Sequence, residues 1–153
     1  MNKFTGFIMN AKDIVCNLVK KYETRNPYNL VKELGIILQY GEDMGNVRGF
    51  YLYANRIKLI CLGNDMPEPM ERFVLAHEIG HCIMHKQSSA PFLQSTLITT
   101  DKYELEANKF AAELIICDDE LREYPYLTVD QWSMYYGLPR EIIELKLRNS
   151  KVD

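Results

Sequence analysis

The sequence has no long run of apolar residues, and this absence limits where the protein can act. No window approaches the roughly 20 apolar residues that a membrane-spanning helix requires. Near the N-terminus, Asn10, Lys12 and Asp13 interrupt an apolar patch, which therefore lacks the unbroken core of a secretory signal peptide. We expect a cytoplasmic protein with no membrane partner.

The sequence also has few cysteines and a small net charge. The 4 cysteines among 153 residues form no CxxC pair, which is the spacing that many structural zinc sites use. We therefore expect Cys16, Cys61, Cys82 and Cys117 to be reduced thiols in the core. The net charge of -3 at pH 7 gives no general attraction to nucleic acid or anionic lipid, so direct binding of nucleic acid is not expected.

The spacing of apolar residues predicts an α+β fold in a single domain over residues 1–153. Helical spacing indicates an amphipathic helix over about 7–23, followed by a short helix that Gly35 ends. Branched and aromatic residues indicate strands over 36–40, 49–53 and 56–62. These strands are expected to form a small, mostly antiparallel sheet.

The second half of the chain is predicted to be helical. A turn over 64–69 opens the first of these helices, because proline is tolerated in a first turn. Residues 86–100 lose helical periodicity and gain Ser, Thr and Pro, which predicts a loop that could form a wall or lid of a cleft. Asp101 can cap a helix over about 102–116, and a short helical tail begins near 128.

The run His77-Glu78-Ile79-Gly80-His81 has the HExxH spacing of metal-dependent hydrolases. Residues four apart lie on one face of a helix, so both imidazoles can reach one zinc ion about 2 Å away. Glu78 can then act as a general base toward water rather than as a ligand. The alternative is a pair of surface histidines on an ordinary amphipathic helix.

A catalytic zinc ion takes three protein ligands and keeps one position for water. Glu104 and Glu106 both offer a carboxylate on the next helix but, being two residues apart, they point to different sides of it. Glu104 could instead form a capping box with Asp101. His85 is a poor third ligand, because it lies about 12 Å from His77 along the helix axis.

The chain resembles the ImmA/IrrE family of zinc metallopeptidases in two motifs and in their order. The motifs are AHEIGHCIMH and, downstream of it, ELEANKFAAELI. Family members also have a small N-terminal helical part, a sheet before the HExxH helix and a short helical tail. The chain departs from the family at residues 115–118, IICD, where members commonly have a proline.

The resemblance implies both a fold and a site. The fold is a small sheet packed on a zincin-type helix pair, with N- and C-terminal helices. The zinc ligands are His77, His81 and Glu104, because the family's third ligand stands four residues before an Asp or Asn near a zinc-bound histidine. Asn108 is then the residue that orients a histidine, and Glu78 is the catalytic base.

The resemblance also implies a protein substrate. Family members are typically cytoplasmic regulators, so we predict a zinc-dependent endopeptidase that cleaves a helix-turn-helix repressor of a mobile element or stress regulon. One alternative is a non-proteolytic anti-repressor or toxin-antitoxin component that acts by binding, although a purely structural zinc site has no need of Glu78. Another is a tail over 129–148 that forms a DNA-binding helix-turn-helix.

Overall fold

The chain combines short helices with one small sheet, in the order that the sequence predicts. The structure is a computed structural model that describes residues 10–87 and 90–150. Within these ranges the helices are α1 (Ala11–Tyr22), α2 (Pro27–Glu33), α3 (Glu68–Met84), α4 (Lys102–Ile115), α5 (Asp118–Glu123), α6 (Val129–Tyr136) and α7 (Arg140–Ser150). The strands are β1 (Ile37–Gly41), β2 (Gly49–Ala54) and β3 (Ile57–Gly63), and Gln94–Ile98 is a short 3-10 helix. The predicted α+β fold is confirmed.

Four of the described helices begin at polar caps, and at α2 the cap is Asn26, whose side chain accepts a hydrogen bond from the Tyr28 amide. The Asn10 side chain accepts a hydrogen bond from the Asp13 amide, so α1 begins at Ala11, and residues 7–9 of the predicted helix lie outside the described residues. Asp101 accepts hydrogen bonds from two amides of the first turn of α4. Thr128 forms a reciprocal capping box with Gln131 at the start of α6. Each cap satisfies amides that the helix itself leaves without a partner.

The sheet has the strand order β1-β3-β2. Strands β2 and β3 form the expected antiparallel hairpin, with Asn55 and Arg56 both in the left-handed conformation that suits a two-residue turn. Strand β1 pairs with β3 in parallel, so the sheet is mixed where mostly antiparallel pairing was expected. The chain reverses twice between β1 and β3, and these two strands therefore point the same way.

Helix α3 lies at the centre of the core. It packs against α2, α4, β2 and β3, and every residue over 73–81 is buried. A helix enclosed in this way carries apolar residues all round, apart from groups with a special role. The polar residues in this stretch are His77, Glu78 and His81, each with no exposed surface.

Gly80 allows α3 and α4 to approach closely. A Cβ atom at this position would lie 3.0 Å from Cδ1 and 3.2 Å from Cβ of Phe110, which is fully buried on α4. These distances are shorter than ordinary van der Waals contact. Glycine at this position thus sets the spacing of the two helices.

An internal ion network joins the helical tail to the rest of the fold. Lys146 on α7 is only 1% exposed, and its Nζ lies 2.6 Å from a Glu113 carboxylate oxygen and 2.6 Å from an Asp118 oxygen. Those two residues belong to α4 and α5. A buried ammonium group requires such partners, because desolvation of an unpaired charge is costly.

The cysteines are free thiols, but their placement differs from the prediction. Cys82 is buried, while Cys61 and Cys117 are partly buried. The prediction of a core position is wrong for Cys16, which is exposed on α1 beside the buried Val15. Among the described residues, each helix is either too short or too polar to cross a membrane.

Candidate metal centre

Two helices bring His77, His81 and Glu104 together in the core. His81 Nε2 lies 2.8 Å from one carboxylate oxygen of Glu104, and His77 Nε2 lies 3.2 Å from the other. The two Nε2 atoms are 3.0 Å apart. Ligand atoms from all three residues lie within 4.8 Å of one another, with the histidines on α3 and the glutamate on α4.

The donor set fits a divalent metal ion. Two imidazole nitrogens and a carboxylate oxygen converge on one point, and such a mixed set is typical of catalytic metal sites in hydrolases. Burial disfavours the charged form of His77 and lowers its pKa, which leaves the neutral imidazole that a metal requires. The first turn of α4 thus directs the Glu104 carboxylate at the two histidines of α3.

Glu104 is ionised in spite of its burial. Burial raises the pKa of this carboxyl, but its interactions with His77 and His81 outweigh that effect and lower the pKa to about 2. The Glu104 side chain points to the histidines, and it is the Asp101 side chain that caps α4. Glu104 therefore does not form the capping box that was its alternative role.

Glu78 stands out among the buried polar groups of the described chain. It has no exposed surface, and neither carboxylate oxygen has a hydrogen-bond partner within residues 10–87 and 90–150. Burial, and secondarily the negative charge of Glu104, raise its pKa well above the ordinary value. An unpaired buried carboxylate costs free energy and is more common at functional sites than in inert cores.

Asn108 contacts the far side of the His77 ring. Its Oδ1 lies 2.8 Å from His77 Nδ1, and its Nδ2 donates a 2.7 Å hydrogen bond to the Thr96 carbonyl. The amide oxygen can therefore accept the Nδ1–H of His77, while Nε2 on the other side of the ring faces Glu104 and His81. Asn108 is one turn beyond Glu104, so both side chains lie on the face of α4 toward α3.

The loop between α3 and α4 contributes contacts that the sequence did not predict. Phe92 is fully buried, and its ring centroid lies 4.9 Å from that of His77. The backbone of Phe92 pairs with Gly49 at the edge of β2. Phe92 contacts His77, and Thr96 contacts Asn108. Part of the segment predicted as a cleft wall therefore packs directly on the site. No periodicity marks either residue in the sequence.

The remaining candidates lie apart from the three donors. Glu106 is half-exposed on another side of α4, where its carboxylate lies 2.7 Å from His85 Nε2. His85 itself contacts His81 and is not part of the His-His-Glu group. Glu113 forms the ion pair with Lys146 described above.

Comparison with known proteins identifies similar sequences. The model of the family Peptidase_M78, described as the IrrE N-terminal-like domain, matches residues 27–148. A protein of Bacillus phage phi105, called uncharacterized immunity region protein 2, is 36% identical over 138 residues, which cover 88% of this chain and 87% of the relative. Metallopeptidase ImmA of Bacillus subtilis (strain 168) is 29% identical over 143 residues, covering 89% of this chain and 83% of the relative.

Proposed function

Since the chain belongs to the Peptidase_M78 family of IrrE N-terminal-like domains, we propose that it is a zinc-dependent endopeptidase that cleaves a helix-turn-helix repressor of a mobile element or stress regulon. The observation that carries this proposal is the buried Glu78 carboxylate, which no described residue hydrogen-bonds, beside the converged donors of His77, His81 and Glu104. A structural metal site has no use for such a group. We further propose that residues 1–153 form one metallopeptidase domain and that α3 and α4 are a zincin-type helix pair.

His77, His81 and Glu104 would hold the zinc ion. Both histidines offer Nε2, and the carboxylate of Glu104 supplies the third ligand, so that one position is left for water. When bound, zinc supplies Lewis acidity, which polarises a carbonyl group and makes water acidic near neutral pH. Asn108 fixes the ring plane and the tautomer of His77 through the hydrogen bond to Nδ1.

Glu78 would act as the general base and then as the acid. Its carboxylate takes a proton from the attacking water and passes it to the leaving amine, so the residue ends the cycle as it began. Both of its oxygens are available for this exchange, since no hydrogen bond from the described residues occupies them. Positioned acid–base groups of this kind contribute roughly 10²- to 10⁴-fold in rate.

A helix-turn-helix repressor is proposed as the substrate on two grounds. The phage relative is named for an immunity region, and the Bacillus subtilis relative is named a metallopeptidase. The net charge of -3 would also favour encounter with a basic DNA-binding domain. Direct contact of the tail with DNA is less favoured, because Lys146 is buried and Arg140 pairs with Asp130 and Glu144.

The experiment compares new protein N-termini in cells that express the wild-type chain or the Glu78→Gln variant at equal level. We expect a new N-terminus within a helix-turn-helix repressor in the wild-type cells and none in the variant cells. Glu78→Gln keeps the shape of the side chain and removes its basicity, and Glu123→Gln on the acidic α5 serves as the matched control. Loss of repression in both strains without any cleavage would favour the binding anti-repressor.

A further inference from the structure

A series of polar side chains leads from His81 of the candidate metal centre toward the surface. His85 lies one turn after His81, where α3 ends, and is 7% exposed. Its Nδ1 is 3.0 Å from His81 Nδ1, and its Nε2 is 2.7 Å from a carboxylate oxygen of Glu106. Tyr103 packs against the His85 ring with the centroids 4.5 Å apart. Contacts with His81, Glu106 and Tyr103 therefore fix the position of the His85 ring.

The positions of the protons follow from these contacts. His81 Nε2 faces Glu104, so a metal ligand role for Nε2 places the ring proton of His81 on Nδ1. His85 Nδ1 must then accept that proton's hydrogen bond, which leaves the proton of His85 on Nε2. The nearest acceptor for it is the Glu106 carboxylate. Each N–H in the series Glu106–His85–His81 thus meets a lone pair.

We propose that His85, oriented by Glu106, is a positioning residue that fixes the tautomer and ring plane of His81 for metal binding. The inference rests on the proposed function, because it requires a metal ion held by His81 Nε2. It gives His81 an equivalent of the hydrogen bond that Asn108 provides to His77. The partners of the two orienting residues differ. Asn108 donates a hydrogen bond to the buried Thr96 carbonyl, whereas His85 contacts the half-exposed Glu106 carboxylate.

This role is separable from the contribution of His85 to the end of α3. The backbone N–H of His85 donates to the His81 carbonyl, and a substitution of the side chain leaves that bond in place. An asparagine at this position would keep an acceptor close to the place of Nδ1, whereas phenylalanine keeps the ring and removes the acceptor. The pair of variants therefore separates hydrogen bonding from packing.

The test measures zinc affinity by competition with a chromophoric chelator, together with the visible absorption spectrum of the cobalt-loaded chain. We expect His85→Phe to lower zinc affinity about 10- to 100-fold, the usual cost of removing such a partner, and to change the cobalt spectrum. His85→Asn should stay within a few-fold of wild type. Glu106→Ala, at a half-exposed position, frees the His85 tautomer and should weaken zinc binding about tenfold.

Glu106→Ala keeps the proposal testable if His85→Phe does not fold. Wild-type affinity and an unchanged cobalt spectrum in His85→Phe and Glu106→Ala would overturn the positioning role and leave the proposed metal site intact. Equal losses in His85→Phe and His85→Asn would also overturn it, because the shape of the ring would then matter and the acceptor would not. A wild-type chain that takes up neither metal would overturn the proposed function itself.

Discussion

Glu104 and Glu106 lie two residues apart on α4, and their surroundings give them different roles. Glu104 is 8% exposed and contacts both histidines of the HExxH run. Glu106 contacts only His85 among the histidines of the described chain, and its side chain is 38% exposed. A carboxylate that binds a metal ion must lie close to the other ligands. Of these two residues, only Glu104 lies close to both histidines.

Metal content separates the two glutamates. We expect Glu104→Ala to lose most of its zinc on dialysis, because two histidines alone make a weak site. Glu106→Ala should retain zinc near the wild-type ratio, because a tenfold loss of affinity leaves a tight site saturated at micromolar protein. Mass spectrometry of the metal in dialysed protein checks this. Equal zinc content in wild type and both variants would refute Glu104 as a ligand.

The sequence indicated which side chains converge better than it indicated which residues surround them. Helical spacing places His77 and His81 on one face, and the HExxH motif adds Glu78. Glu104 was preferred to Glu106 because the resemblance implies a ligand four residues before an Asp or Asn. The contact of His85 with Glu106 could not be foreseen, because His85 leaves the helical conformation with φ -132 and ψ 52. Phe92 and Thr96 reach the site from a loop, where no periodicity relates sequence to position.

At the scale of elements, the close packing of α3 on α4 sets the geometry of the site. Gly80 allows this close spacing, because it has no side chain and faces the fully buried Phe110. Alanine is the better helix former by about 1 kcal/mol. Overpacking costs about 1–3 kcal/mol, and a net loss is expected because Phe110 is fully buried and one of the close contacts is to its Cβ atom, which the backbone holds.

We therefore expect Gly80→Ala to lower the free energy of unfolding and to weaken zinc binding. Phe110→Leu provides the partner for a double-mutant cycle, because the smaller side chain gives the new methyl group space. The two substitutions should show a favourable coupling of about 0.5–3 kcal/mol in urea unfolding. Additive effects of the two substitutions would contradict a direct contact.

The ion network around Lys146 fastens α7 to α4 and α5. Replacement by methionine leaves Glu113 as a buried carboxylate without its cation, so Lys146→Met should cost about 3–5 kcal/mol of stability in urea unfolding. Lys146→Met combined with Glu113→Leu should recover part of that loss. Arg140→Met is the matched control, because its ion pairs are exposed and worth at most about 1 kcal/mol. Similar losses in both single variants would contradict the role of burial.

The elements were predictable where one physical rule dominated. The apolar periodicity of α1, α4 and the tail helices, and the branched and aromatic residues of the three strands, predicted the right elements. The parallel pairing of β1 with β3 was missed, because it depends on the path of the chain between strands. Helix α5 had no predicted counterpart, since its six residues, DDELRE, show no apolar periodicity.

At the scale of the whole molecule, the candidate site links two helices that a long loop separates in sequence. Only the folded chain presents all three donors together, so the proposed zinc binding would stabilise the fold. A thousandfold excess over the dissociation constant contributes about 4 kcal/mol, which for a domain of this size raises the melting temperature by roughly 10 °C.

Thermal unfolding with and without zinc measures this linkage. The wild-type melting temperature should rise on addition of zinc and fall again with a chelator. Glu104→Ala should show little change under either condition, because its site is incomplete. A rise of the same size in Glu104→Ala would place the bound zinc elsewhere on the chain.

The most direct test of the whole account is cleavage in a purified system. Zinc-loaded wild type and Glu78→Gln, adjusted to the same zinc content, are incubated with the repressor that the search for new N-termini identifies. We predict that the wild type cuts one peptide bond, that chelation abolishes the cut, and that Glu78→Gln retains its zinc and is at least as stable as the wild type but cuts at least about 100-fold more slowly. Cleavage by Glu78→Gln at the wild-type rate would contradict the account.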